Sequence, residues 1–180
     1  MNSSPDDRFL IQLTPAHAAA CQAFMMEFIT AGESEYGWLN EYLESPTFSA
    51  YLDYLELCAM GEYKPEIYVP QTTFFLSSPQ GRLLGISRLR HRLNSFLEIE
   101  GGHIGYAVRP SARRQGCATR LLALVLDQAR GIGLTRVLVT CDDDNTGSAR
   151  TIEKNGGVLE DKRTSPHSGK LIRRYWIELG

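Results

Sequence analysis

Apolar residues in this chain recur either at helical spacing or in short blocks bounded by turn residues, and the two patterns divide it into strands and helices. Phe9 to Leu13 fits an edge strand. Thr14-Pro15 then opens a helix, because proline's missing N–H has no partner in a first turn anyway. Ala19, Phe24, Met25, Phe28 and Ile29 recur at near-helical spacing, and Gly32 terminates the run. Between Glu35 and Met60, aromatic and acidic residues alternate around Ser45-Pro46, which fits two short helices. Thr72 to Ser77 and Arg82 to Leu93 flank Pro79-Gln80-Gly81, whose chemistry is that of a tight turn, so a hairpin is predicted.

Gly101 to Val108 reads as a strand rich in small residues, stopped by Arg109-Pro110-Ser111. A helix follows from Arg113 to Ala118 onward. Its stripe is Leu121, Leu122, Val125, Leu126 and Ala129, ended by Gly131 and Gly133. Arg136 to Thr140 forms a β-branched strand, a shorter helix runs to Asn155 before Gly156-Gly157, and Val158 to Lys162 with Leu171 to Leu179 form a terminal strand pair. This order predicts an α/β (α+β) fold with a mixed, partly antiparallel sheet and helices on both faces.

At 180 residues and 43% hydrophobic, the chain suits one domain, expected over 8–180 behind a flexible N-terminus, 1–7. Nineteen basic against 21 acidic residues leave a net charge of -2, without the positive field that would draw a nucleic acid. Cys21, Cys58, Cys117 and Cys141 are widely spaced and read as reduced thiols of a cytoplasmic protein. No apolar run is long enough for a bilayer and no secretory signal is apparent, so no membrane partner is expected. No metal is expected either, because Asp142-Asp143-Asp144 lacks the spaced ligands and glycine of a calcium loop. Arg88-Leu89-Arg90-His91-Arg92 alternates as one solvated strand face would, with recognition of an acidic acceptor as a second reading.

The candidate chemistry lies at Arg113-Arg114-Gln115-Gly116-Cys117-Ala118-Thr119. A glycine-containing turn from a strand into a helix presents unpaired N–H groups and a partial positive charge, which suits a pyrophosphate. Gly116 permits close approach, Ala118 leaves the helix start uncrowded, and Arg113 and Arg114 add charge. Neither G-x-x-x-x-G-K-[ST] nor a strand-linked G-x-G-x-x-G occurs, which disfavours nucleoside triphosphate and dinucleotide readings.

Arg113, Gly116 and Ala118 fill each specified position of [QR]-x-x-G-x-[GA], and Asn145 precedes a helix that ends in Glu153-Lys154-x-Gly156. Those two motifs, in that order, resemble the acetyl-CoA signature of the GNAT superfamily, and within it a branch of predicted bacterial acetyltransferases with undefined acceptors. The resemblance implies the GNAT fold, with about six to seven strands, and acetyl-CoA as co-substrate. It implies that the backbone of Tyr106, Ala107 and Val108 meets the pantetheine arm, beside the 113–119 turn and Asn145.

For the acceptor, the resemblance implies a small-molecule primary amine, a protein N-terminus or a lysine; a non-catalytic acyl-CoA sensor is the reading from another class, and a homodimer stays open. Family members often place a Glu, or a water held by polar groups, on the strand before the turn to accept the amine proton, and there this chain offers Glu98, Glu100 and His103. Glu100 comes first, since strand alternation would set it on one face with Tyr106. The two carboxylates equally fit solvated strand ends, and His103 a packed histidine. Ile152 stands where many relatives have a proton-donating tyrosine, so Tyr106, Tyr175 or water must protonate the thiolate, or it leaves unassisted.

Overall fold

The computed structural model describes residues 7–180, so all of the expected flexible N-terminus except Asp7 lies outside the described residues. In chain order the elements are β1 (Phe9–Ile11), α1 (Ala18–Thr30), α2 (Gly37–Glu44), α3 (Phe48–Met60), β2 (Gln71–Ser77), β3 (Leu83–Arg90), β4 (Ile104–Val108), α4 (Cys117–Gly131), β5 (Arg136–Asp142), α5 (Thr146–Lys154), β6 (Val158–Thr164) and β7 (Leu171–Glu178). Short 3-10 turns at Pro15–His17 and Pro110–Ala112 sit where proline was expected to begin or interrupt an element.

Helices cover both faces of β1 to β4, as the pattern predicts. The α1 stripe of Cys21, Phe24, Met25 and Phe28 packs with Leu39, Tyr51, Phe75, Leu83 and Ile86 on one face. On the other, Leu121, Leu122, Val125 and Leu126 of α4 pack with Leu76, Leu84 and Leu89, and continue into Val137, Val139, Ile152 and Tyr175. Local signals fix the ends of α3: Thr47 accepts the Ala50 N–H at 3.1 Å, and Gly61 closes the helix at φ 76.

One continuous sheet was expected. Instead there are two, β1-β2-β3-β4 and β5-β7-β6, and every ladder within them is antiparallel. The cause lies at Gly101 and Gly102, whose φ values of 100 and 60 are incompatible with a strand, so β4 begins only at Ile104 and not at Gly101. A Cβ on Gly102 would stand 2.4 Å from the Leu138 carbonyl oxygen, so only glycine lets the chain lie against β5. At the next residue, His103 donates its N–H to the Leu138 carbonyl at 2.7 Å and accepts the Leu138 N–H on Nδ1 at 2.9 Å. A side chain thus replaces the next rung of a parallel ladder. Beyond it, β4 and β5 diverge.

Candidate active site

The divergence exposes one edge of β4. Arg109 donates its N–H to the Leu84 carbonyl at 3.0 Å and Arg90 donates to His103 at 2.7 Å, so Gly105 and Ala107 share their hydrogen-bonding edge with β3. Alternation turns the N–H and C=O groups of Ile104, Tyr106 and Val108 toward the gap. A cleft of about 720 Å³ opens there, lined by Tyr106, Ala107 and Val108, by the 113–119 turn except Gln115, and by Asn145 to Ser148 at the start of α5. That volume suits a ligand of nucleotide size.

The turn leaves backbone donors open at the start of α4. Arg114 and Gly116 take left-handed conformations, at φ 62 and 75, and Gly116 begins α4 without a capping side chain. The first helical bond runs from Arg120 N–H to the Gly116 carbonyl, so the N–H groups of the first turn face the cleft uncapped. Arg8 steadies the loop by donating Nη1 to the Gln115 carbonyl at 2.7 Å. No atom comes within 4 Å of a Cβ built on Gly116, so its requirement there is conformational.

Arg113 is placed differently from expectation. Its guanidinium forms a two-pronged pair with Glu33, at 2.7 and 2.5 Å, and donates Nε to the Val108 carbonyl at 3.1 Å. It therefore ties the turn to the α1–α2 loop and to β4. The cations left on the rim are Arg114, Arg150 and Lys154. Arg150 and Lys154 were missed, although their spacing of four on a predicted helix puts them on one face. Glu33 had no local signal, lying 80 residues from its partner.

Tyr106 projects its ring toward the α4 side, and its hydroxyl donates to the Ser148 carbonyl at 3.4 Å. Burial pushes its pKa up to about 12, so it holds its proton at neutral pH. Asn145 caps α5 by accepting the Ser148 N–H at 3.0 Å. Ile152 is wholly buried beneath that helix. Tyr175 donates to Glu153 at 3.1 Å and does not line the cleft.

The carboxylates of the expected strand extension fall elsewhere. Glu98 and Glu100 lie in hydrogen-bonded turns, so strand alternation does not govern them and they share no face with Tyr106. Glu100 instead receives the hydroxyls of Ser165 and Ser168. His103 is buried, spent on Leu138, and its pKa is held down to about 4 by burial and the nearby charges of Arg90 and Arg136. Cys141 is a buried free thiol, its pKa raised to about 11 by burial, which suits packing better than nucleophilic attack.

The arrangement offers donors to an anion and, on β4, backbone groups to an extended ligand. The sequence matches the acetyltransferase (GNAT) family over residues 34–157. The chain belongs to that family. It is an acetyl-CoA-dependent acetyltransferase. No curated relative matches this GNAT chain. Solved structures of like fold include microcin C7 self-immunity acetyltransferase MccE in complex with acetyl-CoA and AMP, at 15% identity and TM-score 0.65, covering 96% of this chain and 93% of that one. A Salmonella typhimurium acetyltransferase that modifies the N-terminal serine of ribosomal protein L7/L12 has 15% identity and TM-score 0.67, covering 96% and 95%. Spermidine N-acetyltransferase from Vibrio cholerae, solved with CoA and spermine, has 16% identity and TM-score 0.60, covering 97% and 96%. At these identities the likeness is one of fold.

Proposed function

We propose that this protein, acting as one domain over residues 8–180 in the cytoplasm, moves an acetyl group from acetyl-CoA to the primary amine of a small molecule by direct transfer in a ternary complex. The observation that carries the reading is the meeting, in one cleft, of an uncapped helix start and the unpaired edge of β4. Bound acetyl-CoA supplies an activated acetyl group on a thioester.

The chain's own residues have distinct tasks in this reading. The N–H groups of Gly116 to Thr119 receive the pyrophosphate, with Arg114, Arg150 and Lys154 adding charge at the rim. Tyr106, and Val108 through its N–H since Arg113 holds its carbonyl, turn backbone groups toward the pantetheine arm and the thioester oxygen, where a fixed N–H stabilises developing negative charge. Asn145 holds the start of α5 against the cofactor. The Tyr106 hydroxyl, protonated and beside that helix, is the proton donor for the thiolate in place of the residue that Ile152 replaces. With Glu100 and His103 engaged elsewhere, solvent accepts the amine proton. Alignment of two bound reactants supplies about 7 to 11 kcal/mol, so a side-chain base is not required.

The test is calorimetry of acetyl-CoA beside NADH and ATP, followed by coenzyme A release across an amine panel. Selective acetyl-CoA binding with turnover supports the proposal. Binding without turnover of any amine would favour a non-catalytic acyl-CoA sensor, and acetylation of lysates without small-molecule turnover would favour a protein acceptor.

A further inference from the structure

Arg88 and Arg90 do not form a solvated face. They project from β3 on the face that carries α1 to α3, since Ile86, two residues earlier, packs in that core. Arg88 lies opposite Gly105, and Arg90 approaches to 3.6 Å of where a Gly105 Cβ would be. Gly105, Arg88, Arg90 and Glu41 are each partly exposed, and Gly105 adjoins Tyr106 in sequence.

That cluster is short of negative charge. Glu41 neutralises Arg88 in a two-pronged ion pair. Arg90 forms no ion pair among the described residues and donates Nη1 only to the Gly101 and Gly102 carbonyls, at 2.8 and 3.1 Å. Burial and the Arg88 charge pull the Arg90 pKa down to about 10, as expected for two cations sharing one carboxylate. Among the described residues, Arg88 Nε and the hydroxyl of wholly buried Tyr51 have no hydrogen-bond partner, so the cluster is not saturated by its own groups.

The cofactor's turn and α5 occupy the Tyr106 side of β4, so an amine reaching the thioester comes from the Gly105 side. We propose that Arg90 and Arg88 bind a carboxylate of the acceptor, which is therefore a small amine carrying a carboxylate a few bonds away, such as an amino acid, and not a polyamine. This rests on the acetyltransferase reading. The carboxylate would give the cluster its second anion, and a charged pair of this kind is directional enough to orient the neighbouring amine.

The experiment compares kcat/KM for amines in three matched forms: amino acid, its carboxamide, and the decarboxylated amine, with spermidine included. The amino acids are expected to exceed their carboxamides by roughly ten- to hundredfold. Arg88→Lys and Gly105→Ala should each erase that ratio. The alanine Cβ meets only the Arg90 guanidinium, at ordinary contact distances, so Gly105→Ala takes up the space beside it without disturbing the strand. Equal turnover of acid and carboxamide, preference for spermidine, or turnover of no panel member would each overturn the carboxylate site. Calorimetry with acetyl-CoA and the broad amine panel separate the two levels: cofactor binding with turnover of another amine class confines the failure to the acceptor's carboxylate, whereas cofactor binding lost, or retained with no amine turned over, removes the proposed small-molecule transfer as well.

Discussion

Glu27 of α1 and Arg109, the residue that follows β4, are joined through the arginine's Nε and Nη2, and this pair anchors the cofactor turn to the helical layer. Arg109 is buried and also donates to the Leu83 carbonyl at 2.9 Å, while the second Glu27 oxygen accepts the Ser111 N–H at 2.6 Å. One carboxylate thus fixes both the end of β4 and the first step of the turn.

Burial by itself would raise the Glu27 pKa, but hydrogen bonds from Arg109 and Ser111 outweigh it and hold the value at about 2. A folded-state pKa below the unfolded one contributes stability that is present above about 4.5 and is lost as pH falls toward about 2. Glu27→Gln should cost about 3 kcal/mol at neutral pH, because it leaves a buried guanidinium unpaired. Urea unfolding between about pH 2 and 6 should show the native protein losing more stability than the variant. Parallel curves would refute the assigned role.

Gly116 separates conformation from space. Alanine there should lower stability by roughly 1 to 2 kcal/mol, since an L-residue at φ 75 is strained even with open surroundings. Gly116→Glu adds bulk and negative charge at the proposed pyrophosphate site and should abolish acetyl-CoA binding in calorimetry. Undiminished binding by a folded Gly116→Glu protein would move the phosphate site elsewhere.

The wall of the cleft was legible because its parts are contiguous: strand, turn, glycine and helix start all fall within Tyr106 to Thr119. Helix faces were legible for the same reason, as the stripes of α1 and α4 are local patterns. What sequence could not supply was pairing at a distance. Arg88 meets Glu41 across 47 residues and Arg113 meets Glu33 across 80, pairings for which no local pattern gives a sign. The glycines before β4 were read as strand, and their positive φ values moved Glu100 away from the cleft.

His103 should act as a positioning residue. Its Nδ1 accepts the Leu138 N–H only when the ring leaves that nitrogen unprotonated. With a folded pKa near 4 against the ordinary 6.5, its contribution is present above about 6.5 and is lost as pH falls toward 4. His103→Ala should destabilise the protein by about 1 to 3 kcal/mol and raise KM for acetyl-CoA more than it lowers kcat, since it loosens the β4–β5 junction. His103→Asn, which keeps an acceptor, should recover part of the KM. A fall in kcat alone, with KM unchanged in both variants, would instead mark His103 as a participant in proton transfer.

Tyr106→Phe addresses the proton donor. The hydroxyl is the tyrosine proton that the cleft holds beside α5, and its raised pKa keeps it in place across the working pH range. Its loss should lower kcat by roughly 10² or more while acetyl-CoA affinity stays nearly constant, because the backbone groups of β4 remain. The effect should depend on the leaving group. An acetyl thioester of a more acidic thiol needs less assistance, so the variant should approach the native rate with that donor. A deficit of equal size with both donors would assign the hydroxyl to holding Ser148 and α5. An unchanged kcat with acetyl-CoA would mean that the thiolate departs without help, which the acidity of a thiol permits.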